Sequence, residues 1–105
     1  FIVSIVREIE LNDTLRNEIV NIQGQSLPVE WEEFDSSAPQ THARITEKTP
    51  SFMECIGKIC ATNDDCLLSE NQENQKKAVY AESVMISSSL QTYNPRILKL
   101  FCWEK

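Results

Sequence analysis

Glycine is nearly missing from this chain: two residues in 105, Gly24 and Gly57. That scarcity disfavours a turn-rich all-β fold and leaves no glycine-rich loop to cradle a phosphate. Histidine is scarcer, with His42 alone. It sits in a polar, proline-flanked stretch, where a lone imidazole is expected to be a solvated side chain; a general base needs a positioned partner. Positive charge is also short, with 10 Lys and Arg against 16 Asp and Glu and a net charge of -6. Nucleic acids and anionic membranes both attract Lys/Arg patches, so the sequence argues against either partner. No apolar run approaches the ~18 residues of a membrane span. The opening Phe1–Val6 runs straight into Arg7 and Glu8, too soon for a signal-peptide core.

What remains is a chain sized for one domain, with a charged fraction of 25% that is ordinary for a globular protein. A chain of this length buries roughly 65% of its unfolded surface, enough for a single core. Four cysteines, Cys55, Cys60, Cys66 and Cys102, read first as two disulfides and hence an oxidising compartment. The rival, a four-cysteine zinc site, wants close pairs; here the intervening gaps are four, five and 35 residues. No metal and no cofactor are therefore expected. Asn12-Asp13-Thr14 is an N-glycosylation acceptor, which agrees with secretion.

The pattern along the chain predicts a mainly α fold: a small disulfide-stapled four-helix bundle with a long first crossover loop and room for one short strand pair. Residues 2–22 read as helix. Ile2, Ile5, Val6 and Ile9 form one stripe and Leu15, Ile19 and Ile22 another, offset so that the register slips near Glu10–Asp13. Residues 23–49 read as a long loop punctuated by Gly24, Pro28 and Pro39, with an extended edge segment around Val29–Trp31. Thr49-Pro50 has the form of a helix start, and Phe52, Ile56, Ile59 and Cys60 follow at helical spacing, predicting a helix over 50–62. Val79, Ser83, Ile86, Leu90 and Tyr93 form a one-sided seam that predicts a helix over 73–92. Residues 95–104 read as a short helix opened by Asn94-Pro95, or as a strand, since Ile97, Lys99, Phe101 and Trp103 alternate. On a regular helix Cys55 and Cys60 lie about 140° apart and cannot pair. Cys102 is then expected to pair with one of them and Cys66 with the other.

Chemistry-bearing clusters are few. Glu30, Glu32, Glu33 and Asp35 form an acidic run of the kind that sits solvated in loops. Asn63-Asp64-Asp65 lacks the alternating ligands and terminal Glu of an EF-hand and reads as a turn or helix end. With neither a nucleotide motif nor a nucleophile–base pair, a binder is expected rather than an enzyme.

Ser4-Ile5-Val6-Arg7-Glu8-Ile9 resembles the opening helix of the short-chain four-helix-bundle cytokines, most closely the interleukin-3, interleukin-5 and granulocyte-macrophage colony-stimulating factor group. Cys55-Ile56-Gly57-Lys58-Ile59 and Cys102-Trp103-Glu104 are similar to segments of the same group, and Glu18-Ile19-Val20-Asn21-Ile22 resembles the neighbouring interleukin-4/interleukin-13 group. The resemblance implies a secreted signalling ligand that binds cell-surface receptor chains. It puts the receptor contact on Glu8, with Arg7 and Glu10 flanking it and Lys99 and Glu104 at a second surface. One departure is plain: Tyr93-Asn94-Pro95 is too short for the second long crossover of that family. The alternatives are a secreted helical carrier of a small apolar ligand and a regulatory domain of a longer secreted protein.

Overall fold

Asn12 breaks the first helical stretch in two. Its backbone is extended, and its Oδ1 accepts the Leu15 N–H at 3.1 Å, so α1 (Ile2–Leu11) ends and α2 (Asp13–Val20) begins around it. The register slip in the sequence is this junction. Ile5, Val6 and Ile9 are buried on α1, and Leu15, Ile19 and Val20 on α2. Asn12→Ala should lower the unfolding free energy by about 1 kcal/mol, while Asn12→Asp, which keeps the capping oxygen, should stay near the parent in chemical denaturation.

The computed structural model describes residues 1–68, 78–88 and 93–105. Within them residues 23–49 are not a loop. They hold two 3₁₀ turns, Gly24–Ser26 and Trp31–Glu33, then α3 (Phe34–Ser37) and α4 (Pro39–Lys48). Pro39 occupies the first turn of α4, but the residue before it, Ala38, has no side chain with which to cap. The cap comes from α2: the Glu18 carboxylate accepts the N–H groups of Gln40 (3.0 Å) and Thr41 (2.8 Å) and the Thr41 hydroxyl (2.8 Å). Thr49-Pro50 closes this helix rather than opening another. The Thr49 hydroxyl donates to the Ile45 carbonyl at 2.7 Å, and a proline follows where the helix cannot continue.

The second half of the chain is a sheet, so the four-helix bundle is overturned. The structure is mixed, with helices on a three-stranded antiparallel sheet of order β1-β3-β2. The strands are β1 (Met53–Ala61), β2 (Tyr80–Ser88) and β3 (Tyr93–Glu104). The helix expected over 50–62 is β1. The helix expected over 73–92 is β2 where it is described; residues 73–77 and 89–92, with Leu90 of the expected seam, lie outside the described residues, as does the polar run 69–77. For 95–104 the alternating reading holds. Asn94-Pro95 is not a helix start but an irregularity of β3, between the pairs Ile86–Arg96 and Ser88–Tyr93. A proline without an N–H is tolerated at such a place.

Two layers of packing explain why β1 mimics a helix. On one face Met53, Cys55, Ile59, Ile86, Leu98, Leu100 and Cys102 join the buried residues of α1, α2, Phe34 and Ile45. On the other, Ile56, Phe101 and Trp103 are covered by Trp31, Leu68 and Val79. A strand buried on both faces loses its two-residue alternation. Gly57 lies under Phe34: a Cβ there would meet the ring at 3.1 Å and Ile45 at 3.4 Å. The glycine that weakens a helix lets this ring approach the sheet.

Both disulfides follow from the strands. Cys55 and Cys102 are directly opposed on β1 and β3 and bonded to each other, and Cys60 at the end of β1 bonds Cys66 across the turn. That turn contains Asn63-Asp64-Asp65, with the Asp64 carboxylate accepting the Cys66 N–H at 2.8 Å. The pairing is one of those expected, although the reason is strand register and not angular separation on a helix. Of the extended segment expected around Val29–Trp31 only Val29 pairs, as a two-way bridge to Ile59 on β1; Trp31 opens a 3₁₀ turn instead. Buried Arg96, on β3, donates to the Ile22 carbonyl at 2.6 Å, and desolvation holds its guanidinium below the ordinary arginine value.

Candidate functional site

The turn Trp31–Glu33 lays the indole of Trp31 against α4. Its ring stacks on His42, with centroids 4.5 Å apart and planes 26° from parallel, and tilts against Phe34 at 4.9 Å. His42 Nδ1 lies 3.2 Å from the Asp35 carboxylate. His42 is therefore not a free loop imidazole but a helix residue held on its face by Trp31 and at its edge by Asp35. The turn is locked in place by the Glu33 carboxylate, which accepts the Glu30 N–H at 3.2 Å, and by Glu30–Lys58 at 3.3 Å, which ties it to β1.

Trp31 and His42 form one wall of a groove of 470 Å³ between α4 and the start of β1. Thr46, Ser51, Glu54 and Lys105 are also on its lining. Phe52, 64% exposed, follows Ser51 in the chain and is held to the C-terminus by the bond from Lys105 N to its carbonyl. The groove thus combines an aromatic wall, two hydroxyls and one charge of each sign. It is suited to binding. The Thr49 hydroxyl, which also lines it, is spent on the Ile45 carbonyl. Among the described residues no cluster of three His, Cys, Asp or Glu could hold a metal.

The residues marked by the cytokine resemblance do not share this groove. Glu8 on α1 is ion-paired with Arg44 of α4, each about one-third exposed. A receptor cation approaching the Glu8 Oε2 would compete with Arg44. Arg7 is exposed; Glu10 is half-buried beside a second groove, between α1 and β2. Lys99 faces away from the helices, its Nζ 5.3 Å from the Phe101 ring. Glu104 is exposed at the end of β3. Asn12, of the Asn12-Asp13-Thr14 triplet, stands half-buried at the helix junction with its side-chain oxygen in use as the cap.

Trp31 and His42 are each visible in the sequence, one at the end of the expected edge segment and the other as a polar loop residue. Their partnership is not, because no short spacing rule relates a 3₁₀ turn to the helix it packs on. Searches of protein-family models, curated proteins and solved structures find nothing that matches this chain.

Proposed function

We propose that this protein is an extracellular, disulfide-stapled ligand that binds a cell-surface receptor chain through the groove between α4 and β1. The observation that carries the reading is the stacked Trp31–His42 pair, half-exposed on a concave wall with a rim of hydroxyls and mixed charge. Protein interfaces concentrate their binding energy on such aromatic anchors, set in a hollow and ringed by polar groups. Two disulfides that use every cysteine favour an oxidising compartment. The four-helix geometry is no part of this reading. Nor is the groove suited to carrying a small apolar molecule, because Glu54 and Lys105 line it.

The test is binding of the labelled, disulfide-intact protein to cells displaying a panel of single-pass receptor ectodomains. Thr46 is exposed on α4 and lines the groove, so Thr46→Arg places a bulky cation there without touching the core. Saturable binding should weaken by at least about tenfold in Thr46→Arg and remain unchanged in Thr62→Arg, an exposed control in the turn after β1. Equal binding by parent and Thr46→Arg would rule the groove out.

A further inference from the structure

The two edges of the sheet differ. Opposed antiparallel residues with Cα atoms near 4.5 Å are the non-hydrogen-bonded pairs, and Cys55 and Cys102 stand 4.1 Å apart. Ile59 has the same parity and bonds outward to Val29 in both directions, at 2.8 and 3.1 Å. Leu98, Leu100 and Cys102 therefore turn their backbone groups toward β2, where they meet Val84, Glu82 and Tyr80. The N–H and C=O groups of Ala81, Ser83 and Met85 are left pointing outward. Among the described residues no backbone group bonds to them. Natural edge strands are usually blunted by lysine, proline or a covering segment. β1 has its cover in Val29; β2 has neither lysine nor proline, and its single charge is Glu82.

Beside this edge is a groove of 280 Å³ lined by Glu10, Leu11, Arg16, Met85, Ile86 and Ser87. Leu11 is 71% exposed and Met85 57%. Arg16 reaches across it to the Ser88 carbonyl at 2.5 Å; the Asp13 carboxylate is 3.9 Å from its guanidinium, and Glu10 lines the same groove.

We infer that β2 pairs antiparallel with β2 of a second copy about a two-fold axis at Val84, joining two three-stranded sheets into one of six strands. In this register Ser83 of each copy exchanges hydrogen bonds with Met85 of the other. Glu82 falls opposite Ile86 and Tyr80 opposite Ser88, so each copy brings a carboxylate to the groove that holds Arg16 of the other. This charge complementarity favours the register over one centred on Ser83. Moving the axis to Ser83 keeps the backbone bonds but sets the two Glu82 side chains diagonally opposed, about 7–8 Å apart, and away from Arg16. The interface is isologous, closes after two copies and removes the free edge. It is at the opposite edge of the sheet from the α4–β1 groove and does not depend on the function assigned there.

Sedimentation velocity on the disulfide-intact chain, across a series from micromolar to millimolar, tests this. A reversible species of twice the 12.1 kDa chain mass is expected. Glu82→Arg and Arg16→Glu should each raise the dimer dissociation constant at least about tenfold. The double variant, which restores opposite charges, should return to near the parent value. Circular dichroism and the absence of free thiols establish that each variant is folded. In the dimer the Ser83 amide should be protected from hydrogen exchange, and it should lose that protection on dilution. A monomer at every concentration, a dimer indifferent to both charge changes, or a Ser83 amide protected in the monomer by the chain's own cover would each overturn the inference.

Discussion

Replacing Cys55 and Cys102 together by alanine should lower the unfolding free energy by about 4 kcal/mol, against about 2 kcal/mol for the Cys60/Cys66 pair. The difference comes from loop length. The first bridge spans 47 residues and the second only 6. Each bridge removes loop-closure freedom from the unfolded chain, and the longer loop has more to lose. The first bridge also joins β1 to the central strand, whereas the second only closes the turn that follows β1. For a chain of this size the larger loss corresponds to a fall in Tm of roughly 15–30 °C. Guanidinium unfolding of the two double variants, followed by tryptophan fluorescence, checks the order. Equal losses would show that the unfolded chain is already compact around residues 55–102.

Phe34→Ala should cost about 3–5 kcal/mol. Phe34 is the largest of the fully buried side chains, at 0% exposure. It is sandwiched between the bare backbone at Gly57 and the indole of Trp31. Truncation therefore opens a void at the meeting point of α3, α4 and β1, and loosens the wall of the groove as well. The complementary change isolates the cause. Gly57→Val should cost about 1–3 kcal/mol in the parent by driving a side chain into the ring, and measurably less where Phe34 is already alanine. A coupling below about 0.5 kcal/mol in that double-mutant cycle would mean that Phe34 and Gly57 do not act on one another as their 3.1 Å approach requires.

Gly57 also shows why half of this fold is hard to read. Ile56 and Ile59 fall at helical spacing because β1 is covered on both faces, and apolar residues then appear on either side of the strand; Phe52, which completes the pattern, is an exposed residue before the strand. β3 escapes the ambiguity in part. Lys99 interrupts its outer face, between Ile97 and Phe101, and leaves a visible alternation. α4 is hidden for a different reason. Its N-terminal capping group belongs to Glu18, more than 20 residues earlier, so Ser36–Thr41 carries proline and polar residues with no local cap. At the site, Trp31, Asp35 and His42 are separated along the chain by a turn, a one-turn helix and a tight corner, and only packing makes them neighbours.

Local chemistry was enough to specify the register slip near Glu10–Asp13, the amphipathic stripes of α1 and α2, the extended backbone at Val29 and the use of four cysteines in two bridges. Each depends on residues close in sequence, or on a residue type with few alternative roles. The sheet order, the Cys55–Cys102 register, the tertiary cap on α4 and the Trp31–His42 wall were decided by the assembled fold. All of them join segments that are distant along the chain, and their free energy appears only when both partners are buried together. The same holds for Glu8, whose sequence surroundings resemble those of a free carboxylate on a first helix, and which the fold gives to Arg44.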